Sequence, residues 1–308
     1  MTDVLMDLPP DPILERRRVI QETASKKIGR RQLNSRILSG VFGLTLVLSL
    51  IPLVSVLATL IKRGVSVISW GFLTHDPIQP TLINQNAVGG IGNAMVGSLV
   101  VDGIAALVAV PLAILIGLYL AETESRTANF MRAITEIMTG LPSILLGVFA
   151  YIYIVLTMKA YSGFAAIVAI TFLMVPVITK AAETAIRGVP HTLREAGLAL
   201  GARNSKVSRG VILPVAAPGL ITGVLLSLAR AVGETAPILL VIGISGRTDW
   251  NPFHQMSALP LDIYQDSASG YASQQQEAWG IALVLVVAVL VLSLGSRFVA
   301  ARMRREQR

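Results

Sequence analysis

Long apolar stretches separated by short polar segments dominate the pattern of this chain. Six stretches are candidates for membrane-spanning helices, which need about 17 to 25 apolar residues to cross the hydrocarbon core. They run over residues 37–61, 94–121, 137–158, 164–179, 211–245 (with a charged interruption) and 279–296. Backbone polar groups cannot remain unpaired in lipid, so each stretch is expected to be helical. The pattern therefore predicts an all-α membrane protein with six transmembrane helices.

Composition agrees with a membrane protein and excludes several other classes. The chain has 308 residues, of which 53% are hydrophobic and 14% charged, more apolar surface than a soluble domain of this length can bury. It contains no cysteine, which excludes disulfides, thiol catalysis and cysteine-ligated metals. His75, His191 and His254 lie in three separate connecting segments, so the sequence predicts no metal site.

The sequence also lacks the motifs of an enzyme. There is no Gly-x-x-x-x-Gly-Lys-Ser/Thr loop to bind nucleotide phosphates and no serine nucleophile elbow. We therefore expect no catalytic residue and no cofactor bound by this chain. Any energy that its function requires would come from a partner or from an ion gradient.

The distribution of lysine and arginine predicts the orientation in the membrane. Basic residues are concentrated in the N-terminal segment, after the second apolar stretch, between the fourth and fifth stretches and at the C-terminus. Six spans put all of these segments on one side, and cytoplasmic loops are enriched in Lys and Arg. Both termini are therefore predicted to be cytoplasmic. The net charge of +8 is then a signal of topology, and nucleic-acid binding is not needed to explain it.

This topology predicts the organisation of the chain. The N-terminal apolar run is longer than the core of a signal peptide, and Lys62 and Arg63 follow it where a cleavage site would need small residues. We therefore expect it to stay as an anchor. The predicted parts are a cytoplasmic tail at residues 1–35, a transmembrane domain at 36–300 with a cytoplasmic loop at 180–211, and a second tail at 301–308.

A polar island between the fourth and fifth stretches predicts a short helix outside the membrane. Thr192 is a candidate N-cap, Glu195 is placed to complete a capping box, and Gly201 offers a left-handed residue at the end. One face would carry Leu193, Ala196, Gly197 and Leu200 at helical spacing. The small residues on this face favour a docking surface for another protein. The alternative is a connector that lies flat on the lipid headgroups.

The island resembles the "EAA" loop of ABC-importer permeases. Glu195, Ala196 and Gly197 stand at the Glu-Ala-Ala positions, Gly201 follows, and Val211 to Pro214 stand at the Ile-x-Leu-Pro positions. The two departures from the pattern, Gly197 and Val211, keep the size class. The resemblance implies a coupling helix that docks in a cleft of a separate ATPase subunit. The residues implied in coupling are Thr192, Arg194, Glu195, Ala196, Gly197 and Gly201.

The fifth apolar stretch contains two charges at membrane depth. Arg230 and Glu234 are four residues apart, so on a continuous helix they would share a face and could pair. Gly233 and Pro237 would loosen the helix there and free backbone groups. Because charges in a membrane are costly and usually line a pathway, Arg230 suggests a path for an oxyanion. A purely structural ion pair between helices explains the residues of the pair equally well.

The segment from Ala229 to Pro237 resembles the fifth-helix signature of the permeases of phosphate ABC importers, with a Thr-Ala-Pro ending similar to the PstA type. Further similar motifs lie at residues 140–144, 89–98 and 257–261. The resemblance covers residues from about 37 to 300 and implies the type I ABC-importer permease fold. It favours Arg230 and Glu234 as pathway residues, together with Thr235 in the same signature. Ser143 is a further candidate, because Pro142 frees nearby carbonyls beside its hydroxyl.

The same resemblance implies a set of partners. These are a PstC-type permease subunit, two ATPase subunits that carry ATP and Mg²⁺, an extracytoplasmic phosphate-binding protein, phosphate itself and membrane lipid. The chain would then be the permease subunit of an ATP-driven phosphate importer in the cytoplasmic membrane. One alternative is a permease for another oxyanion, such as sulfate or molybdate. The other is a proton-coupled secondary transporter that uses Asp102, Arg230 and Glu234 as a relay.

Overall fold

A computed structural model describes residues 12–78 and 88–306, and this part of the chain is helical with connecting turns. The helices are α1 Pro12–Gly64, α2 Trp70–Thr74, α3 Gly92–Glu122, α4 Arg126–Gly140, α5 Ser143–Met158, α6 Gly163–Arg187, α7 His191–Ala199, α8 Asn204–Ala231, α9 Ala236–Leu239, α10 Leu259–Ser267 and α11 Ala272–Glu306. The chain forms two units, one up to Thr59 and one from Leu60 onward.

Five of the described helices are long and apolar enough to cross a membrane. They are Ser35–Gly64 within α1, α3, α6, α8 and Ala272–Phe298 within α11. A sixth span results if α4 and α5, which meet at a bend of 100°, are counted as one broken span. The predicted all-α membrane fold is therefore confirmed.

The third span differs from the prediction of a continuous helix over residues 137–158. Leu141 and Pro142 separate α4 from α5, and Leu141 has the extended backbone (φ −69°, ψ 138°) that the residue before a proline favours. Only α5 continues the apolar stretch, with one π-helical turn at Tyr151–Val155. The predicted span therefore begins too early, because the apolar pattern runs through a proline that ends α4.

The fifth span also ends earlier than predicted. Helix α8 stops at Ala231, and a non-helical turn leads through Glu234 to α9. Helix α9 begins with Pro237 in its first turn, a position where the missing N–H of proline costs nothing. The charged interruption in the predicted stretch at 211–245 therefore marks a break in the helix.

Small residues hold the central helices of the second unit together. Alanines 105, 109 and 113 of α3 are fully buried. At Gly117 of α3, a Cβ atom would lie 2.6 Å from the Cβ of Ala182 in α6. Such close backbone approach is typical of helix packing inside membranes. There the hydrophobic effect does not drive helices together, and small residues allow close van der Waals contact instead.

The N-terminal tail predicted at residues 1–35 lies partly outside the described residues. From Pro12 onward the chain is helical, and α1 passes residue 35 without a break. Pro12 stands at the first helical position, where proline is favoured. The predicted C-terminal tail at 301–308 is likewise helical as far as Glu306.

Candidate functional site

Arg230 and Glu234 form the pair that the sequence predicts. Arg230 Nε donates to Glu234 Oε1 over 3.2 Å, although the helix ends between them at Ala231. The Arg230 side chain is 54% exposed and that of Glu234 is 17% exposed. The carboxylate therefore occupies one donor of the guanidinium, and the remaining N–H groups make no hydrogen bond to the described residues.

A cleft of about 810 Å³ borders Arg230 and lies between α6 and α8. Its described lining contains two cations, Arg230 and Lys180, and no carboxylate. Each cation nevertheless has a carboxylate partner beside the cleft, Glu234 for Arg230 and Glu136, at 3.9 Å, for Lys180. Three threonines also line it, but Thr139, Thr184 and Thr222 donate their hydroxyl protons to carbonyls of their own helices. The charged donors of the cleft therefore belong to two partly neutralised cations, which suits weak contact with an anion.

Ser143 and Thr235 do not border this cleft. Ser143 is the first residue of α5 and is half-buried, and Thr235 precedes α9 and is also half-buried. Their helices pack together at Gly147, where a Cβ atom would lie 2.7 Å from Pro237 Cα. The structure therefore joins Arg230 with Glu234 but places the other two candidates at the start of a neighbouring pair of packed helices.

Helix α7 is the protruding helix expected between the fourth and fifth spans, and it makes about two and a half turns. The proposed N-cap is wrong: Pro190 is the capping residue, and Thr192 lies inside the first turn without a capping bond. Pro190 starts the helix earlier because its carbonyl already accepts from Leu193 N. Gly201 has φ +78°, the left-handed conformation predicted for the residue that ends the helix.

One side of α7 is attached to the rest of the chain by a partly buried polar contact. Arg194 donates to Glu122 Oε1 at the end of α3 over 2.6 Å, and Ser208 Oγ donates to the same oxygen over 2.6 Å. The side chains of Arg194 and Glu122 are mostly buried. On the same side, a Cβ atom at Gly197 would meet Val207 at 3.0 Å. Arg194 and Gly197 therefore position α7 against α3 and α8.

The remaining residues of α7 are exposed. Glu195 and Ala196 are exposed, and Leu200, the residue directly after the helix, is 89% exposed. Leu193 and Leu198 are also exposed. An exposed apolar side chain beside a small residue is a common feature of a protein docking surface. The predicted apolar face is thus divided, with Gly197 packed inward and Leu193, Ala196 and Leu200 free for a partner.

A second ionic cluster at this end was missed from the sequence. Arg132 of α4 donates to Glu183 over 2.7 Å and to the carbonyl of Leu120 over 2.5 Å. Arg187 pairs with Glu183 over 3.1 Å and also donates to Leu120 O. The two cations thus cap the C-terminal carbonyls of α3, where positive charge is favoured. The four-residue spacing of Glu183 and Arg187 is the signal that the sequence offers for this cluster.

Comparison with known proteins gives the class of the fold. A bacterial alginate ABC transporter, solved in complex with an alginate pentasaccharide-bound periplasmic protein, superposes with a TM-score of 0.63. The match covers 90% of this chain and 97% of that chain at 16% identity. The MetNI methionine ABC transporter in an inward-facing conformation gives a TM-score of 0.54 over 70% of this chain and 94% of that chain, at 23% identity. The fold is that of an ABC-importer permease.

Sequence comparison gives the family. The family described as binding-protein-dependent transport system inner membrane component matches residues 113–308. The phosphate transport system permease protein PstA 1 of Mycobacterium tuberculosis is 37% identical, with 90% of this chain and 91% of that protein covered. PstA of Haemophilus influenzae is 32% identical, with 87% and 94% covered. The chain therefore belongs to this family of transport-system membrane components.

Proposed function

We propose that the chain is the PstA-type permease subunit of an ATP-driven importer that translocates inorganic phosphate across the cytoplasmic membrane. The observation that carries the proposal is the similarity, over nine-tenths of the chain, to proteins named as phosphate permeases. The cleft beside Arg230, whose two cations keep unpaired N–H groups beside their carboxylate partners, is a second observation in favour of an anionic substrate. In the membrane orientation that the distribution of Lys and Arg indicates, both termini and α7 are cytoplasmic.

In this proposal, Arg230 is the contact for phosphate and Glu234 limits how tightly phosphate is held. A guanidinium offers several N–H donors in a fixed plane, which suits an oxyanion. Glu234 already occupies one of these donors, so an incoming anion competes with it or binds beside it. Ser143 and Thr235 contribute hydroxyl groups to the path at the adjoining helix starts. A pathway that releases its substrate needs contacts of limited strength, and this pair provides one.

The partners follow from the same assignment. A PstC-type permease completes the pore, an extracytoplasmic phosphate-binding protein delivers phosphate, and two ATPase subunits supply ATP and Mg²⁺. One ATPase docks on the exposed side of α7, which consists of Thr192, Glu195, Ala196 and Leu200, with Gly201 ending the helix. The Arg194–Glu122 contact transmits motion of α7 to α3, because it is a short, charge-assisted hydrogen bond between the two helices.

A competition experiment tests the substrate. The assembled importer in proteoliposomes is given labelled phosphate with a hundredfold excess of sulfate or of molybdate. Unchanged phosphate uptake is expected. Loss of phosphate uptake in sulfate or molybdate, with matching uptake of the labelled competitor, would instead assign the chain to another oxyanion importer.

A further inference from the structure

An acidic cavity lies at the end of α3 opposite the α7 contact. It has a volume of about 200 Å³ and is formed by the start of α3, the segment after α9, α10 and the first turns of α11. Helix α3 runs from this cavity at Asn93 to the Arg194 contact at Glu122. The exposed Ile244 and Gly246 border the cavity, so it is open to the outside of the molecule.

Asn93 presents an unpaired acceptor to this cavity. Its side chain is 4% exposed, and Nδ2 donates to the carbonyl of Ser245 over 2.6 Å. Its Oδ1 atom is buried and has no hydrogen-bond partner within the described residues. A buried acceptor without a donor is costly and rare, and it indicates a position where an absent donor belongs.

Three carboxylates share the cavity with Asn93. Asp262 accepts from Ser257 Oγ, Glu277 accepts from Gly89 N, and Asp266 makes no side-chain hydrogen bond within the described residues. The described lining contains no lysine, arginine or histidine, and the sequence of residues 79–87 contains none either. The cavity therefore combines an excess of acceptors with carboxyl groups that have no cationic partner among the described residues.

Burial makes this charge costly. The pKa of Asp262 is raised to about 6, mainly by desolvation; the hydrogen bond from Ser257 lowers this pKa and the nearby charge of Glu277 raises it. Desolvation likewise raises the pKa of Asp266 to about 7, with smaller contributions from Asp262 and Glu277. Desolvated carboxylates of this kind gain most from a cationic partner that restores hydrogen bonds.

We propose that this cavity receives a lysine or arginine side chain of the extracytoplasmic binding protein when that protein docks on this end of the permease. The acceptors are spread around the cavity, and the described residues contain no group of three or more His, Cys, Asp or Glu arranged to hold a metal ion. An ammonium or guanidinium group has several N–H donors and can reach separated acceptors. The sidedness, and so the identity of the partner, rests on the proposed function.

Arg247 is the competing occupant within this chain. It is exposed, and its backbone contacts Ser245, whose carbonyl already accepts from Asn93. The part of the chain that the structure describes gives the Arg247 side chain no ion pair. If the Arg247 side chain folded into the cavity as an internal latch, it would use the same acceptors. The test therefore distinguishes Arg247 from a cationic side chain of the binding protein.

The test measures docking rather than transport. The complete importer is placed in nanodiscs, and the dissociation constant of the fluorescently labelled phosphate-binding protein is measured. Asp266→Asn is expected to weaken docking at least about tenfold and to reduce its salt dependence, because one partly exposed charge pair is lost. Asp266→Glu, which keeps a carboxylate, is expected to dock nearly as tightly as the unmodified complex. Asp249→Asn removes a charge from the same end but outside the cavity, and it is expected to leave docking unchanged. Unchanged basal ATPase activity shows that each variant is assembled.

Proton competition gives a second readout. A cationic side chain favours the ionised carboxylates, so docking by the unmodified complex should weaken as pH falls from about 8 to about 5, through the pKa values of Asp262 and Asp266. This loss should be smaller in Asp266→Asn, which has one titrating group fewer.

Two outcomes would overturn the inference. One is an unchanged dissociation constant in Asp266→Asn, and the other is a loss in Arg247→Gln equal to that in Asp266→Asn, which would assign the cavity to the internal latch. Failure of the proposed function would look different, because the unmodified complex would then bind the protein and import no phosphate.

Discussion

At the scale of single residues, the chain uses its charges in two different ways. Arg230 keeps most of its donors open and is only partly neutralised by Glu234. Arg194, in contrast, is held in a short and mostly buried pair with Glu122. The first arrangement suits reversible contact with an anion, and the second suits fixed attachment of a helix. Each use leads to a separate prediction.

Replacement of Arg230 should abolish efficient uptake without preventing assembly. Arg230→Gln removes a charge-assisted contact worth about 1.5–3 kcal/mol, which corresponds to a loss of about tenfold to a hundredfold in kcat/KM for phosphate. Arg230→Lys keeps the charge but not the planar guanidinium group. Its kcat/KM should therefore lie between those of the unmodified importer and Arg230→Gln. Uptake assays on the reconstituted importer measure the effect. Normal uptake by Arg230→Gln would exclude this residue from the pathway.

Replacement of Glu122 should uncouple ATP hydrolysis from transport. Glu122→Gln removes the charge that Arg194 and Ser208 share, so α7 is no longer firmly attached to α3. We expect ATPase activity to persist while phosphate transported per ATP falls several-fold. Glu124→Gln is the matched control, because Glu124 is exposed and forms no ion pair among the described residues. Equal coupling ratios in the two variants would contradict this role.

At the scale of helices, the apolar pattern predicts where the chain crosses the membrane but not where helices stop. The pattern runs through Leu141-Pro142 and through Val232 to Thr235, whereas the structure bends or breaks at both places. Pro142 is the sequence signal at the first break. Gly233, between Arg230 and Glu234, is the signal at the second. Hydrophobicity averaged over a span hides such local backbone effects, because a broken helix can be as apolar as a continuous one.

Helix packing through small residues predicts a contrast between two glycines of α3. A side chain at Gly117 would collide with Ala182, whereas Gly103 has no neighbouring atom within 4 Å. Gly117→Leu should therefore destabilise the folded bundle by about 1–3 kcal/mol through overpacking. Gly103→Leu should be neutral or slightly stabilising, since leucine favours helix more than glycine. Thermal unfolding in detergent measures both, and equal midpoints would contradict the packing of α3 against α6.

At the scale of the whole molecule, the second unit carries three features along one bundle. Helix α7 protrudes at one end, the cationic cleft lies between α6 and α8, and the acidic cavity lies at the other end of α3. The sequence predicts α7 and the Arg230–Glu234 pair, because both are local in the chain. It does not predict the Arg194–Glu122 contact or the Asn93 cavity. Their partners are far apart in sequence and meet only in the packed fold.

The most direct test of the central claim is uptake of labelled phosphate into proteoliposomes that contain this chain with its proposed partners. Each partner is omitted in turn, and ATP or a proton gradient is supplied separately. The account predicts uptake that requires ATP, the ATPase subunits and the binding protein. Uptake by this chain alone, driven by a proton gradient, would contradict the account and identify a secondary transporter.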